Sequence, residues 1–353
     1  RAAPPAPPAA LATLRLALHL VRGDPPHRST QEDDMGNGEM PYAGIATFLK
    51  APHVPEPTLD DGEIAVLGIP FDEATTSRSG ARFGPRAIRD ISTFWAYRTG
   101  TEAYLDVELG EGTAREILGG VRFVDAGDVV LGPTQPVDDR HAAVGARLTP
   151  IVEAGLFPVV LGGDHSVTLP AMMAVHAARG GKPFQLVHFD THTDYWDEEG
   201  GQRYTHGNPM IRADEQGLLT GITQYGLRGL YGPDMDFDLM AKRGAHLFWC
   251  EEAKLMSPEE LVAHLEPGAD TYVTFDIDAL DPAIAPGTGT PEPGGFTYYE
   301  AKAILRAVCA RVNVIALDMV EVAPAYDGPG QLTALHATRL IIDTVGAVFA
   351  ARG

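Results

Sequence analysis

Cysteine is nearly missing from the 353 residues: Cys250 and Cys309 are the only two. That excludes a disulfide framework and makes a reducing cytoplasm the simplest setting. At 37.7 kDa the core needs no such staples, since a chain of this size buries roughly 75% of its unfolded surface. Basic residues are also scarce, 27 Lys and Arg against 48 Asp and Glu, for a net charge of −21. Nucleic acid and anionic membranes need a basic footprint, so neither is expected as a partner. No uninterrupted apolar run approaches the roughly 20 residues of a membrane span, and no fixed-period repeat is visible.

What is present falls into two parts. Residues 1–40 open with the Pro/Ala tract RAAPPAPPAA, suited to extended conformations, followed by a short apolar helix from Leu11 to Val21. Arg1, Arg15, Arg22 and Arg28 outnumber Asp24 there, which raises a targeting peptide as one reading. A flexible or partner-packing extension is the preferred one. Residues 41–353 read as one catalytic domain. Within it, eight short apolar runs alternate with helical patterns such as Pro136–Ala154 and Tyr298–Arg311. The runs are Ile64–Ile69, Val121–Val124, Pro158–Leu161, Gln185–Phe189, Ile222–Leu227, His246–Trp249, Thr271–Phe275 and Val314–Leu317. This alternation predicts a three-layer α/β/α fold around a central, mostly parallel eight-stranded sheet. Ligands of such sheets bind beyond the carboxyl ends of the strands.

Those ends are polar. The third run leads into Gly162-Gly163-Asp164-His165-Ser166, the fourth into Asp190-Thr191-His192-Thr193-Asp194, the seventh into Asp276-Ile277-Asp278, and the eighth into Asp318-Met319-Val320-Glu321. Residues two apart in an extended segment share a side, so Asp190, His192 and Asp194 converge, as do Asp276 and Asp278. Singly, each has a plain structural reading: an Asp at a strand end forms turns, and Asp164 caps the helix after the glycines. Together with His165 they make four carboxylates and two imidazoles, a charge conflict that cations resolve. Two divalent ions fit the count. Oxygen and imidazole donors without thiolate suit Mn, with Ni, Co or Fe as alternatives, rather than a structural zinc, and such a pair acidifies a water into a nucleophile.

These motifs, GGDHS at 162–166, FDTHTD at 189–194, THGNP at 205–209 and TFDIDALDPAIAPGTGTPEPGG at 274–295, resemble the ureohydrolases, the binuclear manganese amidinohydrolases that include arginase and agmatinase. SRSGARFGPRAIR at 77–89 and DMVEVAPAYD at 318–327 resemble the agmatinase branch. The resemblance implies one ion on His165, Asp190, Asp194 and Asp276 and another on Asp190, His192, Asp276 and Asp278. It also implies His206 as a proton shuttle, Glu321 as the guanidinium-binding carboxylate, Asp194 as a partner of the attacking water, and a trimeric or hexameric homo-oligomer. The expected reaction is hydrolysis of a guanidino substrate to urea and an amine.

Agmatine, giving putrescine, ranks first as substrate. Where arginases carry D-A-H-x-D-x-N, this chain has Thr191 and Trp196, which counts against arginine. Trp196 either packs under the site loop or faces the pocket; in the second case it shortens the site or stacks on a cation. Guanidine, a biguanide, guanidinobutyrate or another short guanidino compound would then suit it. Two readings of other classes stand beside these: a single-zinc deacetylase, against which the two-ion ligand set argues, and a non-catalytic or polyamine-binding regulator. The Gly287–Gly295 segment lacks the Lys-Ser/Thr of a phosphate loop and is expected to border the site.

Overall fold

Each strand expected from the sequence is present in the structure, a computed structural model that describes residues 40, 42–98, 104–106, 115–232, 235 and 237–352. The helix expected at Leu11–Val21, and residues 1–39 as a whole, lie outside these. In chain order the elements are β1 (Ile64–Gly68), α1 (Gly84–Ser92), β2 (Tyr104–Asp106), β3 (Arg115–Ile117), β4 (Phe123–Asp128), α2 (Val137–Glu153) and β5 (Phe157–Leu161). Then come α3 (Thr168–Ala178), β6 (Phe184–Phe189), α4 (Pro209–Glu215), β7 (Leu219–Leu227), α5 (Phe237–Lys242), β8 (His246–Trp249), α6 (Cys250–Ala253) and α7 (Pro258–Val262). β9 (Asp270–Asp276), α8 (Tyr298–Arg311), β10 (Asn313–Val320) and α9 (Leu332–Arg352) complete the fold.

Strands β2 and β3 form a separate antiparallel pair. The other eight make one sheet in the order β4-β1-β5-β10-β9-β6-β7-β8, and every pairing in it is parallel. The sheet is thus wholly, not mostly, parallel. Alternation along the strands explains the layers. Ile64, Val66, Val159 and Leu161 face a core shared with α1, α8 and α9, while Ala65, Leu67 and Val160 face one shared with α2, α3 and α4. Both faces are covered, so β1 and β5 are buried along their whole length. Helix α9 has the length and hydropathy of a bilayer span, but 61% of that stretch is buried inside the fold, as expected of a core helix.

The order of the central strands positions the site. β5, β10, β9 and β6 are consecutive neighbours, although β5 and β10 are separated in the chain by the whole of β6 to β9. The register aligns their ends: Met319 pairs with Leu161, Val320 with Asp276 and Phe189 with Phe275. All four polar motifs therefore emerge side by side at one edge. Gly163 is required there, because a Cβ on it would fall 1.7 Å from the carbonyl oxygen of Phe71.

Candidate metal centre and active site

His165 opens a 3₁₀ turn directly after β5, capped by Asp164, whose carboxylate accepts the Ser166 N–H at 3.1 Å. Its Nδ1 lies 3.0 Å from Asp190 Oδ2, 2.9 Å from Asp194 Oδ2 and 3.2 Å from Asp276 Oδ2. None of these three contacts has hydrogen-bond geometry, so this buried nitrogen has no hydrogen-bond partner, although three carboxylates lie at ion-pair distance. Nε2 of the same ring is satisfied by Thr274 Oγ1 at 2.9 Å. A lone pair surrounded by three carboxylate oxygens fits a cation at their centre. The second group forms on the other side of Asp190. His192 Nδ1 is 3.4 Å from Asp190 Oδ1 and 3.3 Å from Asp278 Oδ2. The donor atoms of Asp190, His192 and Asp278 all lie within 4.8 Å of one another.

Charge points the same way. Burial and the mutual repulsion of Asp276, Asp278 and Asp190 push Asp276 well above the usual carboxylate range and raise Asp278 as well. Burial works against a charged His165, yet Asp194, Asp190 and Asp276 drive it well above an ordinary imidazole. With protein groups alone, the cluster relieves its charge only by taking up protons; divalent ions would displace them.

Glu321 follows β10 and is 1% exposed. Its Oε1 accepts the backbone N–H of His165 at 2.9 Å and contacts His206 Nδ1 at 2.9 Å, while Oε2 is buried without a partner. Glu321 (φ 62°) and Asp194 (φ 50°) both hold left-handed backbone conformations, which cost a non-glycine residue roughly 1–2 kcal/mol. The loop after β1 fixes His206: its N–H donates to Ala74 O at 3.0 Å, and Thr76 N–H is aimed at Nε2 at 3.0 Å. Only a neutral Nε2 accepts that N–H, so the proton rests on Nδ1, toward Glu321. Burial opposes a second proton, but Glu321, Asp194 and Asp164 push the ring up to about 9. A proton that displaced the Thr76 bond would therefore be held.

Half-buried, Trp196 stacks on Tyr231 with centroids 5.7 Å apart and planes 14° apart, and its backbone N–H donates to Gly207 O at 3.2 Å. Tyr231 in turn donates to Thr191 O at 2.8 Å. The Gly287–Gly295 loop borders the site as expected: Thr290 Oγ1 is 3.4 Å from Asp278 Oδ2, and a Cβ on Gly289 would lie 3.7 Å from Glu321 Oε2.

Several residues beside the cluster drew no assignment from the sequence. Asp318, fully buried, accepts the hydroxyls of Thr168 and Tyr272, each at 2.8 Å. Thr168 Oγ1 is in turn 3.5 Å from Thr274 Oγ1. His188 Nε2 is 2.8 Å from Asp190 Oδ2, and its position two residues before Asp190 was the available signal. Thr76, from a distant loop, offered none.

The fold and this acidic, imidazole-bearing edge define a hydrolase of the metal-dependent kind. The chain belongs to the arginase family, whose model matches residues 62–346. A guanidinobutyrase of Pseudomonas aeruginosa is 36% identical over 313 residues, covering 87% of this chain and 93% of that one. An agmatinase of Serratia proteamaculans is 38% identical over 300 residues, covering 83% and 90%. Among solved structures, the proclavaminate amidino hydrolase of Streptomyces clavuligerus superposes with a TM-score of 0.77 at 31% identity, covering 88% and 99%. Like such relatives, the chain is a ureohydrolase, acting on amidino C–N bonds.

Proposed function

We propose that the chain hydrolyses a short guanidino compound, agmatine first, to urea and an amine at a two-ion centre. The observation that carries this is the buried pair of orphans, His165 Nδ1 and Glu321 Oε2, one suited to a metal ion and the other to a guanidinium. His165, Asp190, Asp194 and Asp276 would hold one ion; Asp190, His192, Asp276 and Asp278 the other. The oxygen-rich donor set favours manganese over nickel. Bound there, the ions would lower a water's pKa toward neutrality and so supply the nucleophile.

The chain's own groups do the rest. Glu321 Oε2 pairs with the guanidinium and fixes the orientation of its carbon. An Asp194 carboxylate oxygen accepts a proton from the attacking water, and His206 passes a proton to the departing amine nitrogen. The four ligand carboxylates are compensated by metal, so the remaining surface charge is what steers a cation toward the site. The sequence resemblance supports a homo-oligomer, trimer or hexamer, and the scarcity of cysteine supports a cytoplasmic setting.

A second reading, a guanidino acid as substrate, has one observation in its favour. Arg78 donates to Gly289 O at 2.9 Å and Thr288 O at 3.2 Å, placing positive charge beside the Glu321 pocket, where a carboxylate tail would be attracted. Urea release from agmatine, 4-guanidinobutyrate and guanidine, each with Mn and with Ni, decides between them. No urea from any of the three would remove the proposal and favour a non-catalytic role.

A further inference from the structure

His188 meets the distance requirement for a third imidazole in the centre. Its donor nitrogen lies within 4.8 Å of those of His165, Asp190 and Asp194, its ring sits edge-on to His165 with centroids 5.0 Å apart, and it is 0% exposed. The opposite ring nitrogen prevents that role. Gln224 Nε2, projecting from β7, is 2.8 Å from His188 Nδ1 and 2.6 Å from Thr193 O. An amide nitrogen has two hydrogens and no available lone pair, so it donates to both. Rotating the amide would set Oε1 against the Thr193 carbonyl, acceptor against acceptor, which fixes its orientation. Nδ1 of His188 therefore accepts, Nε2 carries the proton, and that proton points at Asp190 Oδ2. A protonated nitrogen has no electron pair for an ion. Gln224 Oε1 is left buried without a partner, the mark of an amide held for its donors alone.

We propose that Gln224 is a determinant of metal specificity: by locking His188 as the Nε2–H tautomer it excludes a third imidazole from the centre. The site then stays rich in carboxylate oxygen, which suits Mn, whereas added imidazole suits Zn and Ni. Gln224 acts through His188 as a positioning residue, and the inference rests on the two-ion reading given above.

The test compares Mn2+ and Zn2+ affinities, by calorimetric titration of the full chain, in wild type, Gln224→Glu and Gln224→Glu/His188→Phe. A neutral glutamic acid can donate its hydroxyl to Thr193 O and accept a hydrogen bond from His188 Nδ1–H, turning the Nε2 lone pair toward the ions. The Zn-to-Mn affinity ratio is expected to rise about tenfold or more in Gln224→Glu. The visible absorption of the Co2+-loaded protein should shift with it, and the double variant should lose both changes. A wild-type ratio and spectrum in Gln224→Glu, or a rise that survives His188→Phe, would overturn the proposal. If Gln224→Glu fails to fold, Gln224→Met removes the same donor and is read the same way. A wild-type chain that takes up fewer than two ions would refute the two-ion reading itself, and this proposal with it.

Discussion

Glu321 spends one carboxylate oxygen on His206, Oε1 to Nδ1 at 2.9 Å, and keeps the other buried and unpaired. An amide in its place would present hydrogens to the guanidinium. Glu321→Gln should lower kcat/KM by about 3 kcal/mol, roughly a hundredfold, the scale of a buried charge-assisted hydrogen bond. Metal content, measured alongside urea release, should stay at the wild-type level; metal loss would show that Glu321 supports the ions instead.

Asp190 stands between the two groups of donors, facing His165 through Oδ2 and His192 through Oδ1. Asp190→Asn should therefore lose metal and urea release together. Chelation of the wild type should also lower its melting temperature, because ions present at a hundred times their Kd stabilise the fold by about 2.7 kcal/mol. Full turnover in the chelated protein would remove the metal assignment.

Asp318 ends a line of hydroxyls beneath the site. Its carboxylate accepts a hydrogen bond from the Thr168 hydroxyl, leaving Thr168 to accept from Thr274 and Thr274 to accept from His165 Nε2. Every donor along the line thus points away from the ions and leaves His165 Nδ1 bare. Asp318→Asn introduces a competing donor and should weaken metal binding 10–100-fold, the usual cost of losing such an outer partner. Thr274→Val should weaken it as much, and the two together no more than either alone, by titration with Mn2+.

His141 and His264, both away from the metal ligands, are held neutral. Burial and Arg140 lower His141 to about 4; burial, His246 and Arg311 lower His264 to about 4. Each unfolded ring takes a proton near its ordinary 6.5, while the folded ring refuses it until about 4. Their stabilisation is complete above 6.5 and declines as pH falls toward 4. Melting temperatures across that interval should fall less steeply in His141→Phe and His264→Phe than in wild type. Parallel curves would mean that these rings are protonated in the fold.

The sequence revealed the strands and the residue types at their ends because both depend on local pattern: apolar runs of strand length, and acidic or imidazole residues two apart. It concealed three things that depend on distant chain. The neighbour relation of β5 and β10 is set by crossovers, not by either strand's composition. The left-handed backbone of Asp194 and Glu321 is imposed by the surrounding fold on residues that do not prefer it. Thr76, Gln224 and Asp318 act through partners that no spacing rule connects; Gln224 and His188 are 36 positions apart. Trp196, read from sequence as either core or pocket, stacks on Tyr231, a partner that no spacing rule connects to it.

Strands β9 and β10, made late in synthesis, are the two that lie between β5 and β6. Until they emerge from the ribosome, the earlier strands have no central partners, and β5 and β6 each keep an open hydrogen-bonding edge. Such edges invite wrong pairing between nascent chains. Truncations short of β10 should therefore aggregate rather than fold as a smaller domain, and catalytic competence arrives only as the last central strand enters its slot.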